Sequence, residues 1–251
     1  MEALIFAAGL GTRLKPLTDT LPKALVPVGG QPLLWHVLMK LKGAGYRKIV
    51  INVHHFADRI LDYLAANGNF GLDIRISDER DFLRETGGGI CHARPLLEGP
   101  DTEPFLVHNV DILSNLDLGR LRQEARPEAL ATLVVSDRPT RRYLLFDKDM
   151  RLAGWTDRST GEVRSPYDGR TLKTCRPLAF SGIHLVSRGI FDAFSRCGFS
   201  GRFPIMDFYL KSCAAYPIYG WVPQDFKMLD VGKSDVLADA ENFLAGTLGT
   251  R

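Results

Sequence analysis

Residues 4–23 read LIFAAGLGTRLKPLTDTLPK and hold the densest chemistry in the chain. Gly9 and Gly11 flank a single residue, Arg13 follows at once, and Lys23 stands behind Pro22. Two residues without Cβ let a backbone loop come close to a ligand. Backbone N–H groups and two cations beside one loop make a site for a polyphosphate. Two common phosphate loops are excluded. A P-loop and a dinucleotide loop both require a glycine where Leu14 stands. The second strand ends in Asn52-Val53-His54, without the acidic residue that a dinucleotide site uses.

Other segments carry carboxylates and glycines in suggestive places. Asp111 leaves an apolar run in H-N-V-D-I, where it could hold Mg²⁺ or cap a helix. Asp230 lies in M-L-D-V-G-K, which by itself reads as a turn or cap residue. Glu85-Thr86-Gly87-Gly88-Gly89 opens a helix, and its glycines would let a flat nucleobase lie on the backbone. Asp157-Arg158 follow a strand pattern and by themselves read as a solvated loop pair. His36 and His184 lie in apolar patterns and read as packed, and His54 and His55 as structural or peripheral. Trp155 and Trp221 read as core. No Ser–His–Asp or Cys–His arrangement is legible.

The elements that must position these residues alternate. Leu4–Ala8, Lys48–Val53, Leu72–Ile76 and Pro104–Asn109 read as strands. Pro32–Ala44, Ala57–Ala66 and Thr86–Leu97 read as helices between them. This order predicts an α/β fold with a mostly parallel, doubly wound, Rossmann-like mixed sheet. Ligands of such sheets bind at the strand carboxyl ends, where the Gly9 loop and Asp111 both fall. The second half holds hairpin material: strands at Ala131–Ser136, Tyr143–Phe146, Leu152–Thr156, Leu178–Val186 and Pro217–Trp221. A loop is expected over 157–171, and helices over Ile190–Ser195, Ile205–Cys213 and Asp235–Leu244. No linker splits the chain, so one domain is expected over 1–251, in two halves, 1–112 and 113–251.

The run G-x-G-T-R-L-x-P-L-T followed by P-K resembles the sugar-1-phosphate nucleotidyltransferase (nucleotide-sugar pyrophosphorylase) family. The E-T-G-G-G form is most similar to the branch that transfers uridylyl groups to N-acetylmuramic acid 1-phosphate. The resemblance implies a GT-A-like nucleotidyltransferase fold and, with no hexapeptide repeat, no C-terminal β-helix. It implies a nucleoside triphosphate held by Ala7, Ala8, Gly9, Gly11, Thr12, Glu85, Thr86, Gly87 and Gly88. It implies Arg13 and Lys23 as catalytic cations and Asp111 and Asp230 as ligands of Mg²⁺. A sugar 1-phosphate would meet Asn109, Asp157, Arg158, Ser181 and Gly182. The chain departs from the pattern at Val110, where glycine is frequent, and at Arg158, where lysine is usual. The expected reaction joins a nucleoside monophosphate to the sugar phosphate, UTP with N-acetylmuramic acid 1-phosphate leading. Guanylyl or cytidylyl transfer to mannose, heptose or choline-type phosphates is the alternative, and a non-catalytic nucleotide-sugar-binding subunit the rival of another class.

Composition sets bounds. With 251 residues, 45% hydrophobic and 24% charged, the chain has an ordinary globular balance. A net charge of +3 is too small and too evenly spread to suggest nucleic acid. No apolar stretch approaches the roughly 18 residues of a membrane span. Four scattered cysteines with no C-x-x-C pair suggest free thiols in a reducing compartment. The expected setting is cytoplasmic, and the expected state a monomer or weak homo-oligomer.

Overall fold

The computed structural model describes residues 1–232 and 236–248. Strand β1 (Glu2–Phe6) runs into a loop of three short 3-10 turns, then the ribbon β2 (Pro27–Val28) and β3 (Gln31–Pro32). Helix α1 (Leu33–Gly43) buries Leu34, Val37, Leu38 and Leu41, the spacing of one helical face. β4 (Lys48–Val53), α2 (Ala57–Ala66), β5 (Asp73–Asp78), α3 (Glu85–Ala93) and β6 (Phe105–Asn109) complete the alternation. Then come β7 (Ile112–Ser114), α4 (Leu118–Glu124), β8 (Ala131–Ser136), β9 (Arg142–Phe146), β10 (Leu152–Asp157) and β11 (Glu162–Arg164). The chain continues through α5 (Gly169–Leu172), β12 (Arg176–Val186), α6 (Ile190–Arg196), α7 (Ile205–Ser212), β13 (Ile218–Trp221), β14 (Met228–Asp230) and α8 (Leu237–Leu248).

Ten strands form one mixed sheet whose main path is β11-β10-β9-β12-β6-β1-β4-β5. The stretch β6-β1-β4-β5 is parallel, as the alternating order predicts. β12 closes it on the other side, antiparallel to β6. Successive side chains of β1 face opposite layers. Ala3 and Ile5 pack with α1, α2 and α4, whereas Leu4 packs with α3, α6 and α7. A third cluster joins Leu14, Val26, Val28, Leu33, Leu113, Val231 and Ala240. It fixes the Gly9–Lys23 loop against β7, β14 and α8.

Three expectations need correction. β1 ends at Phe6, not Ala8, because the amides of Ala7 and Ala8 turn to the Asn52 side chain instead of a strand partner. The segment 157–171 is not all loop: β11 pairs back on β10 through Trp155, Thr156 and Asp157. Asp168 then caps α5 by accepting from Thr171 N at 2.9 Å. The last helix is described from Leu237, and Asp235 lies outside the described residues. No described helix is long and apolar enough to cross a membrane.

Candidate active site

The register of the parallel core draws the site together. Phe6 pairs with Asn52 of β4 on one side and with Asn109 of β6 on the other, and Asn52 pairs with Ser77 of β5. The carboxyl ends of four strands thus open into one cleft of about 270 Å³. Its walls include Ala8, Gly9, Lys23, Glu85, Asn109 and Asp111. This is where a doubly wound sheet binds its ligands.

The phosphate loop has a built shape. Gly11 has φ +65°, and a Cβ there would stand 2.7 Å from Thr18 Cγ2, so glycine is required. Gly11 O accepts from Leu14 N and from Thr18 Oγ1, both at 2.8 Å. Thr12 and Arg13 are exposed on the turn that follows, and Gly9 is exposed at the cleft. Pro22 presets the extended entry to the turn that begins at Lys23.

Lys23 pairs with Asp111 Oδ2 inside the cleft, with their side chains 11% and 15% exposed. Asp230 arrives on a separate strand. β14 pairs antiparallel with β7, Asp230 opposite Ile112, and Val231 N donates to Asp111 O at 2.9 Å. Burial in the surrounding protein pushes the Asp230 pKa up, although its outer side meets solvent, and the nearby Asp111 pushes it further. Lys23, Arg13 and Arg138 pull it back. A Cβ on Gly232 would lie 2.6 Å from Asp230 Oδ1 and 2.7 Å from Arg13 Nη2, so a glycine there lets those two charged groups converge. The four charged residues expected from the sequence are therefore one constellation.

Other expected residues sit differently. Ala7 N and Ala8 N donate to Asn52 Oδ1 at 2.7 and 3.1 Å, so these amides are engaged within the protein. Asn52 is itself held by Glu79, a fully buried carboxylate that accepts from Asn52 Nδ2 and Arg84 N at 3.0 Å each. Asn52 and Glu79 both line the cleft, and neither was expected from the sequence. The only prior signal is an asparagine ending an otherwise apolar strand.

The glycine triplet serves packing. Gly87 N and Gly88 N donate to Phe203 O at 2.9 and 3.1 Å, so the open base platform expected there is not what the chain builds. A Cβ on Gly88 would run into the carbonyl of Gly201. A Cβ on Gly89 would stand 2.9 Å from the Phe6 ring and 3.1 Å from Glu79 Oε1. Thr86 Oγ1 accepts from Ile205 N at 2.9 Å, and Glu85 (φ +61°) pairs with Arg202 at 3.0 Å. Glu85 and Thr86 still face the cleft.

On the sugar side, Asn109 lines the cleft and packs on Gly182 (φ +80°), where a Cβ would meet Asn109 Nδ2 at 2.7 Å. Ser181 is buried beneath them. Asp157 and Arg158 belong to the β10–β11 hairpin. Ser159 Oγ donates to Asp157 Oδ1 at 2.5 Å and Ser159 N at 2.9 Å. Arg141 and Arg142 approach Oδ2 at 3.3 Å each. The Ser159 hydroxyl, with these other donors, holds the Asp157 pKa down at about 2. Arg158 lies over the Tyr143 ring at 4.5 Å. The expected sugar contacts from this pair are thus replaced by a turn and a stacking contact. Val110, where glycine was expected, is buried and donates its N–H to Phe6 O at 3.1 Å, tying β6 to β1.

Comparison with known proteins gives the family and the fold. A family model described as Nucleotidyl transferase matches residues 2–164. The N-acetylmuramate alpha-1-phosphate uridylyltransferase of Caulobacter vibrioides is 35% identical over 97% of this chain and 96% of its own length. The enzyme of that name from Neisseria meningitidis serogroup B is 46% identical, over 50% of this chain and 53% of its own length. A probable mannose-1-phosphate guanylyltransferase of Oryza sativa subsp. japonica is 33% identical over 76% of this chain and 51% of its own length. Among solved structures, HddC from Yersinia pseudotuberculosis complexed with GMP-PN superposes with a TM-score of 0.75 at 21% identity, covering 97% of this chain and 99% of that one. UDP-glucose pyrophosphorylase complexed with UDP-glucose gives 0.74 at 17% identity, covering 98% of each chain. These two likenesses establish the fold: an α/β mixed sheet with a parallel core, matched over almost the whole chain.

Proposed function

The chain belongs to the nucleotidyl transferase family, and from that premise we propose that it joins UTP to N-acetylmuramic acid 1-phosphate, releasing pyrophosphate. The observation that carries the choice of substrates is the near full-length match to a uridylyltransferase of that specificity. The guanylyltransferase likeness covers a smaller share of both chains.

The reaction needs no covalent enzyme intermediate. The acceptor phosphate is largely dianionic at neutral pH, since its second pKa is about 6. Its oxygen attacks the α-phosphorus in line, the bond to the bridging oxygen breaks, and pyrophosphate leaves with that electron pair. The protein must bring two mutually repelling anions together and stabilise charge growing on the leaving phosphates. We assign Arg13, exposed on the loop, to the leaving phosphates. Lys23, deep in the cleft, is assigned to the α-phosphate.

The donor set suits Mg²⁺, which is held by one or two carboxylates and completes its shell with phosphate oxygens and waters. Asp111 and Asp230, brought side by side by the β7–β14 ribbon, are that pair. When bound, Mg²⁺ would neutralise charge on the phosphates and orient them.

The test is Mg²⁺-dependent pyrophosphate release over a grid of UTP, CTP, GTP, ATP and dTTP against sugar 1-phosphates. We expect the strongest signal with UTP and N-acetylmuramic acid 1-phosphate. A maximum at GTP with mannose 1-phosphate would replace that choice within the family. Nucleotide binding with silence across the grid would point to a non-catalytic subunit.

A further inference from the structure

The acceptor phosphate needs a cation on the sugar side of the cleft, and Arg158, expected there, is stacked on Tyr143. We propose that Arg138 holds the phosphate of the acceptor sugar. This rests on the sugar-1-phosphate reading of the site.

Arg138 lies in the turn Asp137–Arg141 that joins β8 to β9. Its Nη2 donates to Phe180 O at 3.1 Å. Phe180 precedes Ser181 and Gly182, at the point where the register of β12 on β8 shifts between Phe180 and His184. Gly182 in turn backs Asn109, a wall of the cleft. One nitrogen of the guanidinium is therefore anchored to the strand segment that borders the sugar side. β12 runs antiparallel to both β6 and β8, so Arg138, just past the end of β8, lies at the same edge of the sheet as Asn109 at the end of β6.

Its donors are not used up. Arg138 Nε is buried and has no hydrogen-bond partner among the described residues. A buried donor left unmatched calls for a partner, whether a ligand or a water. A guanidinium offers its donors in a plane that fits two phosphate oxygens at once, unlike an ammonium. The neighbouring arginines are committed elsewhere: Arg141 and Arg142 to Asp157 at 3.3 Å each. No described carboxylate forms an ion pair with Arg138. An arginine tied by one backbone carbonyl at the edge of the sheet where the cleft opens, with donors to spare, suits a phosphate monoester. Held there, the acceptor would present its oxygen toward the α-phosphorus held at Lys23.

The experiment compares wild type, Arg138→Ala, Arg138→Lys and Arg158→Ala. Isothermal titration measures N-acetylmuramic acid 1-phosphate binding to protein preloaded with Mg²⁺ and α,β-methylene UTP. Steady-state kinetics separates KM for each substrate, and thermal melts follow folding. We expect Arg138→Ala to weaken sugar-phosphate binding about 10- to 100-fold, the range of a hydrogen bond to a charged group. Nucleotide affinity should stay within about twofold, Arg138→Lys should recover part of the loss, and Arg158→Ala should behave as wild type. Sugar-phosphate binding that survives in Arg138→Ala overturns the assignment while leaving the family reaction intact. Equal weakening of both ligands, or a loss reproduced by Arg158→Ala, also overturns it. A wild type that binds nucleotide but no sugar 1-phosphate removes the assignment together with the reading beneath it.

Discussion

Lys23 and Asp111 neutralise each other inside the cleft, and Asp230 sits beside them at the mouth. Removing either member of the pair leaves the other without its ion-pair partner where solvent is scarce. Asp111→Asn and Lys23→Ala should each lower turnover about 10²- to 10³-fold, the usual loss for one preorganised electrostatic group. Circular dichroism should stay native, and near-normal turnover in either variant would remove that residue from its role. Gly88 makes a different prediction. A Cβ there meets the rigid backbone of Gly201, and overpacking of this kind costs about 1–3 kcal/mol. Gly88→Ala should therefore melt several degrees lower, while a base platform would instead lose nucleotide affinity at unchanged melting temperature. At this scale the charged quartet was legible, because loop pattern and strand ends are local in sequence. Asn52 and Glu79 were not. Their bond depends on the register of β4 against β5 and on the space that Gly89 leaves empty.

The eleven-residue β12 carries the sugar side, and its interior holds His184. Tyr209 OH lies 2.9 Å from His184 Nδ1 with both groups buried. Burial lowers the His184 pKa to about 3, and that of His108 on β6 to about 4. The unfolded chain keeps both near 6.5, so below that pH it takes protons that the native state refuses. Stability from these histidines is complete above pH 6.5 and is lost progressively as the pH falls toward 4 and 3. At pH 5 the loss is about 2 kcal/mol for each. Urea midpoints should fall between pH 7 and pH 5, and His184→Gln should flatten part of that fall. A wild-type midpoint that ignores pH in this window would contradict the buried neutral rings. His184 was legible as a packed residue from its apolar surroundings. The β7–β14 ribbon that unites Asp111 with Asp230 was not, since three-residue strands carry no periodicity and pair across more than a hundred residues of chain.

The two halves expected from the sequence, 1–112 and 113–251, share their structure. β12 from the second half hydrogen-bonds along β6 from the first, with His184 opposite Val107 and Val186 opposite Phe105. One core cluster packs Leu4, Val50 and Val107 against Leu133, Phe146 and Phe208. The alternation of strand and helix made the parallel core legible, because each unit is contiguous in the chain. The return of β12 to β6 was not, because pairing partners far apart in sequence leave no local mark. A sheet and a core that cross the midpoint should unfold together. Calorimetry should give one transition, with calorimetric and van't Hoff enthalpies equal. Fragment 1–112 alone would expose the edge of β6 and half of an apolar core, and an uncovered edge strand invites aggregation. That fragment should be insoluble or unfolded by circular dichroism. A soluble fragment with its own cooperative melt would instead make the first half an autonomous nucleotide-binding unit, and the active cleft would lie between two separable bodies.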